Sequence, residues 1–526
     1  MTGTPGTPGT PGTPATPGTD RADRTGGTAR GARPRRRAGA AAALLAAVLA
    51  GTATAAPARA AAPWAADTVR LSTGPAGVQP DGDSWPDSLS ANGRYAVFGS
   101  SATNIVAGDT NGQSDVFVRD LVTGRAERVS LTAAATEADG SAMDGSISGD
   151  GRYVVFASTA ALVPGDTNGA EDVYVRDRFA GRTERLSVGD PAREQPGLNS
   201  YLPTISSDGR YVAFASSRTD LVPGGTPALA NVYVADRRTG AVRLITVGAD
   251  GSPADRPSAA PVLSADGSTV GFISKATNLL PPGEGGPVDP DAARANAPVV
   301  AADRADDHVP GRPAHAPERA PHRARADGRA SGASTEILKP RLYPFYVHTL
   351  ATGKTVGGSL DENGELSGSS TGALSPDGRF AAYSQLVPNR PGDSGFDRHY
   401  EIRVRDLRTG TVRQIPPGLP GTTTLDDSFG AVIASGNRWV YFTSYADNLV
   451  AGDTNGGEDV FRHDLWTGRT ERVSVSADGA QNPGLSSGPV VGALGTTVLF
   501  ASTDGTLVPG DTNTFGDAFA RRLPPS

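Results

Sequence analysis

The nine residues Ser148–Phe156 read SGDGRYVVF. An Asp-Gly pair turns the chain tightly, and the aromatic and β-branched residues after it favour extended backbone. The phrase returns as SANGRYAVF at 90–98, SSDGRYVAF at 206–214 and SADGSTVGF at 264–272. Later copies are SPDGRFAAY at 375–383, SGNRWVYF at 435–442 and GALGTTVLF at 492–500. Its closing aromatics Phe98, Phe156, Phe214 and Phe272 stand 58 residues apart, as do Phe442 and Phe500. A fixed period of this order marks a repeat architecture.

The phrase is only the first half of a unit. The second half reads LVPGDTNGAEDVYVRDRFAGRTERLSV at 162–188. Asn168-Gly169 bends the chain before a third strand through Val173–Val175, and Ala180-Gly181 turns it into a fourth, Glu184–Val188. No amphipathic helical period interrupts the pattern. Four short antiparallel strands per unit predict a propeller blade. Thr68–Ser72 matches a fourth strand, whereas the last unit stops at Asp517–Arg521 without one. The expected fold is therefore all-β: a seven-bladed β-propeller of four-stranded blades. The N-terminal strand completes the last blade and hides an otherwise open edge.

The recurring S-x-D-G-R-x-x-x-F phrase resembles the WD40-like (PD40) repeat of the TolB family over nearly all of residues 68–522. The resemblance implies the propeller but not the Tol–Pal role. The few residues between Ala61 and Thr68 could not hold the α/β domain that precedes the propeller in TolB. The Ala/Gly/Arg-rich style resembles a secreted actinobacterial protein.

The chain has 526 residues, with Gly 67, Pro 42, Cys 0 and a hydrophobic fraction of 37%. Such a composition suits many short strands and turns, held without disulfides. Residues 1–19 form a Thr-Pro-Gly tract expected to be disordered. Arg33, Arg35, Arg36 and Arg37 then precede an apolar stretch from about Ala38 to Ala50, and Ala58-Arg59-Ala60 reads as a cleavage site. Residues 1–60 are thus expected to be a disordered tract plus signal peptide, and 61–526 the propeller, secreted or held in the cell envelope. Residues 283–335, rich in Ala, Pro and Arg, read as a disordered insertion within the fourth blade. No other segment reaches membrane-span length. The formal net charge is −7, and residues 1–60 hold eight Arg against two acids, so the mature part is more acidic still. That argues against nucleic acid and against anionic lipid surfaces as partners.

One constellation could carry chemistry. Asp-x-Asn-x-x-x-Asp occurs at Asp109, Asn111, Asp115; at Asp166, Asn168, Asp172; at Asp453, Asn455, Asp459; and at Asp511, Asn513, Asp517. Alternating oxygen ligands on a tight loop could bind calcium. The plainer reading is a turn whose Asp and Asn side chains bond their own backbone. The third unit has Gly225, Pro227 and Asn231 instead and could not hold an ion. A second series, Arg119, Arg176, Ala235, His348, Arg405, His463 and Arg521, recurs on the third strand. It reads either as a basic ring for an acidic ligand or as pairing with Asp120, Asp177, Asp236, Asp406 and Asp464, or with the next blade. Gly-x-Ser-x-Gly strings at 368–372 and 484–488 are placed in loops between blades, without the strand–turn–helix setting a nucleophile needs. The expected function is a non-catalytic, monomeric scaffold for a protein or glycan. The alternative is a metal-dependent polysaccharide lyase of the oligogalacturonate-lyase type, which resembles this repeat and would use histidines such as His348, His399 and His463; His308, His315 and His322 fall in the insertion.

Overall fold

Strand Tyr153–Ser158 is buried at five of its six positions, the pattern of a strand with neighbours on both sides and both faces covered. It pairs antiparallel with Ala142–Ile147 on one side and Asp172–Asp177 on the other, and the latter pairs with Arg182–Arg185. The computed structural model describes residues 68–190, 194–283, 343–388, 398–416, 418, 419, 422, 426–503 and 505–523. Among them this four-stranded meander recurs from the first unit, Ser84–Leu89, Tyr95–Ser100, Asp115–Asp120 and Ala126–Arg128, onward. Five sheets are four-stranded and one is eight-stranded. No α-helix occurs among the described residues, and no helix is long and apolar enough to cross a membrane. The leader and its cleavage point lie outside the described residues, as does the expected insertion apart from Gly283.

Each unit repeats the same local devices. Every first strand carries a bulge, for example between Met143 and Ser146 and between Tyr201 and Thr204. A bulge adds a residue that bends the strand. The Asp-Gly turn is locked by its serine: Ser148 Oγ donates to Asp150 Oδ1 at 2.6 Å, and the amide of Arg152 donates to the same oxygen at 2.9 Å. Gly151 has φ 78°, and a Cβ there would lie 2.1 Å from Tyr95 Cδ2 of the preceding unit. Glycine is required twice over, by backbone conformation and by the neighbour's ring.

Apolar clusters join successive units. Val97, Val116 and Val118 of the first unit pack with Val154, Phe156 and Tyr174 of the second. The same holds at the chain ends. Thr68–Arg70 pairs antiparallel with Asp517–Arg522 and makes that sheet four-stranded. Leu71, Leu499, Ala518 and Ala520 then pack against Leu89, Phe98 and Phe117 of the first unit. The tight turns also bond to one another through backbone. Ala91 N donates to Gly149 O, Gly149 N to Ser207 O, Ser207 N to Ala265 O and Ala265 N to Pro376 O, at 2.7–3.1 Å. Pro376 has no N–H to pass on. There Asn437 Nδ2 donates to Asp377 Oδ2 at 2.7 Å, and Ser435 N donates to Ala493 O at 3.1 Å.

The eight-stranded sheet was not foreseen. It arises because Tyr343–Thr349 of the fourth unit pairs at Tyr343 and Pro344 with Ser369 and Gly368 of the fifth. Phe345 stands where other units have valine, as at Val116 and Val173. Its ring is wholly buried, and a Cβ on Gly271, Gly358 or Gly372 would come within 2.2–2.6 Å of it. Three glycines therefore hollow out the space for one oversized side chain. Gly372→Ala should lower stability by about 1–3 kcal/mol through overpacking, read from the denaturant midpoint. Adding Phe345→Val should recover most of the loss.

Candidate functional site

The Asp-x-Asn-x-x-x-Asp loops lie at the edge of the sheets opposite the tight turns, between second and third strands. In each of the four, an arginine from the fourth strand sits among the carboxylates. Arg128 Nη1 lies 3.3 Å from Asp109 Oδ1, 3.0 Å from Asp115 Oδ2 and 2.7 Å from Glu137 Oε1. Arg185 pairs with Asp166 at 2.8 Å, with Asp172 at 3.3 Å and with Glu194. Arg472 lies 3.0 Å from Asp453 and 3.4 Å from Asp459. Arg70 lies 2.8 Å from Asp511 and 3.0 Å from Asp517. Two residues on, Ser130, Ser187, Ser474 and Ser72 each donate to the second carboxylate of their knot.

These knots do not fit calcium. Calcium takes six to eight oxygens. Here the guanidinium already supplies the positive charge. The asparagines turn nitrogen toward the site: Asn111, Asn168, Asn455 and Asn513 Nδ2 donate to Asp115, Asp172, Asp459 and Asp517 at 2.8–3.4 Å. The asparagine oxygen instead accepts from backbone, as with Gln113 N on Asn111 Oδ1 at 2.9 Å. The turn reading thus describes the loop, but it omitted the arginine. The sequence did hold a signal for it. In the third unit, where Asn231 replaces the second aspartate, the position paired like Arg128 is Leu244, and Thr246 Oγ1 donates to Asn231 Oδ1 at 2.9 Å. In that unit the acids and the arginine are absent together. Among the described residues, Asp109, Asp115 and Glu137 are the one group of three potential metal ligands lying close enough to share an ion.

The third-strand bases serve a different purpose from either expectation in full. Asp120, Asp177, Asp236, Asp406 and Asp464 do not pair with them. Those acids bind the arginine of the Asp-Gly-Arg phrase instead: Arg94, Arg152, Arg210, Arg379 and Arg438, at 2.6–2.7 Å. Arg119, Arg176 and Arg521 are buried and donate to carbonyls of the preceding unit's exit segment, at Thr73, Thr132 and Val475. Arg405 donates to Gly357 O in the same way. Contact with an adjacent unit, the last of the expected readings, accounts for them.

Among the described residues, His348, His399 and His463 do not converge. His348 Nδ1 bonds Thr355 at 2.9 Å and His463 Nδ1 bonds Thr470 at 3.0 Å, each inside its own sheet. Burial pushes both below the usual imidazole range. His399 Nε2 lies 3.3 Å from Glu401. Ser370 and Ser486 fall within first strands Gly368–Leu374 and Ser486–Val491, not in loops. Ser486 Oγ is buried and accepts from Asn482 at 2.8 Å.

No family model matches the chain, and no curated protein matches it. Solved structures similar to it include TolB from Acinetobacter baumannii, at 12% identity and TM-score 0.34, covering 74% of this chain and 62% of that one. Acylaminoacyl peptidase from Pyrococcus horikoshii matches at 12% identity and TM-score 0.43, over 84% and 51%. A putative TolB from Agrobacterium tumefaciens matches at 14% identity and TM-score 0.34, over 78% and 99%. The chain spans less than two thirds of the first two.

Arg128→Met should leave two buried aspartates without their counter-charge and cost about 3–5 kcal/mol, measured by denaturant unfolding. Added calcium should then raise the melting temperature of the variant while leaving the parent unchanged; a rise in the parent would restore the calcium reading.

The two acid sets respond oppositely to pH. Burial and the neighbouring Asp115 raise Asp109 to about 6, against the pull of Arg128. The folded state then binds a proton that the unfolded chain takes up only near 4, so this group adds stability as pH falls from 6 toward 4. The Arg210 hydrogen bond depresses Asp236 to about 2. Its contribution is complete above the ordinary carboxylate value near 4 and is lost as pH falls through 2. Asp109→Asn should flatten stability against pH between 4 and 6, and Asp236→Asn should flatten it between 4 and 2.

Proposed function

We propose that the units form a closed seven-bladed propeller of the TolB-like kind, exported to the envelope or medium, and that it works as a non-catalytic scaffold for a protein or glycan. The observation that carries this reading is how the recurring charged side chains are engaged. The loop acids hold arginines, the phrase arginines hold turn acids, and the third-strand arginines hold the neighbouring unit. Each engagement fixes a loop or a seam, which is what a surface that presents loops on a rigid frame needs. Closure is supported by the strand from Thr68 pairing beside Asp517–Arg522, and by Thr497 of the last unit lying 3.2 Å from the Cβ position of Gly93, as Thr269 lies against Gly378.

The chain has no cysteine, so Val69→Cys with Ala520→Cys introduces a unique pair at directly opposed positions. Opposed residues of antiparallel strands are about 4.5–5.5 Å apart at Cα, within disulfide reach. Oxidation should give a monomeric cross-linked chain with a higher melting temperature. Failure to cross-link within one chain would sink closure. For the scaffold reading, the full chain incubated with oligogalacturonate should give no rise in ultraviolet absorbance. Such a rise would replace it with the lyase.

A further inference from the structure

In a four-stranded meander the first–second and third–fourth turns emerge at one edge, and the longer connections at the other. The turn-to-turn hydrogen bonds place the tight turns of successive units at a common edge. Exposed charge divides between these edges. Among the described residues most exposed Lys and Arg lie at the tight-turn edge, with one near each third–fourth turn from Arg125 in the first unit to Arg522 in the last. Arg243 and Arg413 stand further along their fourth strands. The exposed charges of the long loops are acids, such as Asp81, Asp139, Asp250, Asp447 and Asp478. The negative sum of the chain therefore conceals a basic edge. The overall negative charge thus does not bar that edge from anionic surfaces.

One sector of the edge is distinct. Units two to five carry an exposed acid in the first–second turn, at Asp150, Asp208, Asp266 and Asp377. The sixth, last and first units have Gly436, Leu494 and Asn92 there. These three units are neighbours. Ser435 N donates to Ala493 O at 3.1 Å, and Arg522 Nη2 donates to Leu121 O at 3.2 Å. The same three raise apolar side chains into solvent, Trp466 at 71% exposed, Val122 at 70% and Leu494 at 66%, and Phe179 of the adjoining second unit, at the place of Val122, is 67% exposed. Arg94, Arg125, Arg469 and Arg522 are exposed around them, and no acid is exposed at this edge of the sector.

We propose that this sector is a peripheral docking surface for an anionic lipid bilayer. Charge complementarity selects a negative partner. The form of the apolar groups selects a bilayer: they are separate tips on three units at one edge. Isolated convex tips suit a deformable phase that closes around each one. Tryptophan with flanking arginine is the composition found at membrane–water interfaces. Attraction to anionic lipid is worth roughly one fivefold step in binding per Arg near the surface, and it is screened by salt.

The test uses the full chain and variants that share its N-terminal segment, so any binding by Arg33–Arg37 cancels in the ratio between them. Vesicles of phosphatidylcholine alone are compared with vesicles containing phosphatidylglycerol. The parent should sediment with the anionic vesicles, and less so in high salt. Arg125→Ser and Arg469→Ser should each weaken binding about fivefold, and Trp466→Ala several-fold. Asp139→Ser, at the opposite edge, should change nothing. These side chains are solvent-exposed, and circular dichroism should report the same fold for each. Tryptophan emission should shift to the blue and be quenched by brominated lipid, and both effects should vanish in Trp466→Phe. Equal binding of parent and sector variants would overturn the proposal. So would binding without a Trp466 response, capture of soluble polygalacturonate in place of vesicles, or head-to-tail self-association that occupies this edge.

Discussion

The pairing of Thr68–Arg70 with Asp517–Arg522 is the constraint from which most other features follow. A sheet that ended at Asp517–Arg522 would present unpaired N–H and C=O groups along its margin, a template for aggregation. The N-terminal strand does more than cover that margin. It delivers Arg70 to Asp511 and Asp517 and Ser72 to Asp517, so the last knot is assembled from both ends of the chain. Leu71 then enters the cluster shared with the first unit. Backbone pairing, charge neutralisation and core packing thus depend on one short segment.

Much of the fold was legible because its signals are local. Asp-Gly and Asn-Gly turns, β-branched runs and the period of 58 lie within single units. The knots were half legible. Asp115 and Arg128 are 13 residues apart, as are Asp172 and Arg185, while Asp517 and Arg70 are 447 apart. A search for metal ligands selects oxygens and passes over the cation that the fourth strand brings among them. The substitution of Leu244 in the third unit, where Asn231 replaces the acid, was the available clue. The joined fourth and fifth units were not legible at all. That junction rests on Phe345 fitting three glycines from separate parts of the chain, and no local pattern announces such a fit.

The separation of charge between the two edges was hidden for another reason: composition adds up what the fold separates. The Asp-Gly-Arg arginines and the loop acids alternate along the chain, so any sequence window mixes the signs. Strands of about six residues carry them to opposite edges. Buried pairing then removes many charges from the surface, Arg70, Arg128 and Arg185 among them. What solvent meets is the residue of that cancellation, and it differs in sign from one edge to the other.

The shared sheet of the fourth and fifth units has a mechanical consequence. Elsewhere adjoining units touch through side chains and isolated backbone bonds, contacts that can slip a little without breaking a ladder. Between Tyr343–Pro344 and Gly368–Ser369 the ladder itself runs on, with a ring lodged across the joint. Hydrogen-bonded strands separate together or not at all, so these two units should open as a single cooperative block. The array would then fluctuate unevenly, with a stiff double segment opposed by single segments that breathe independently.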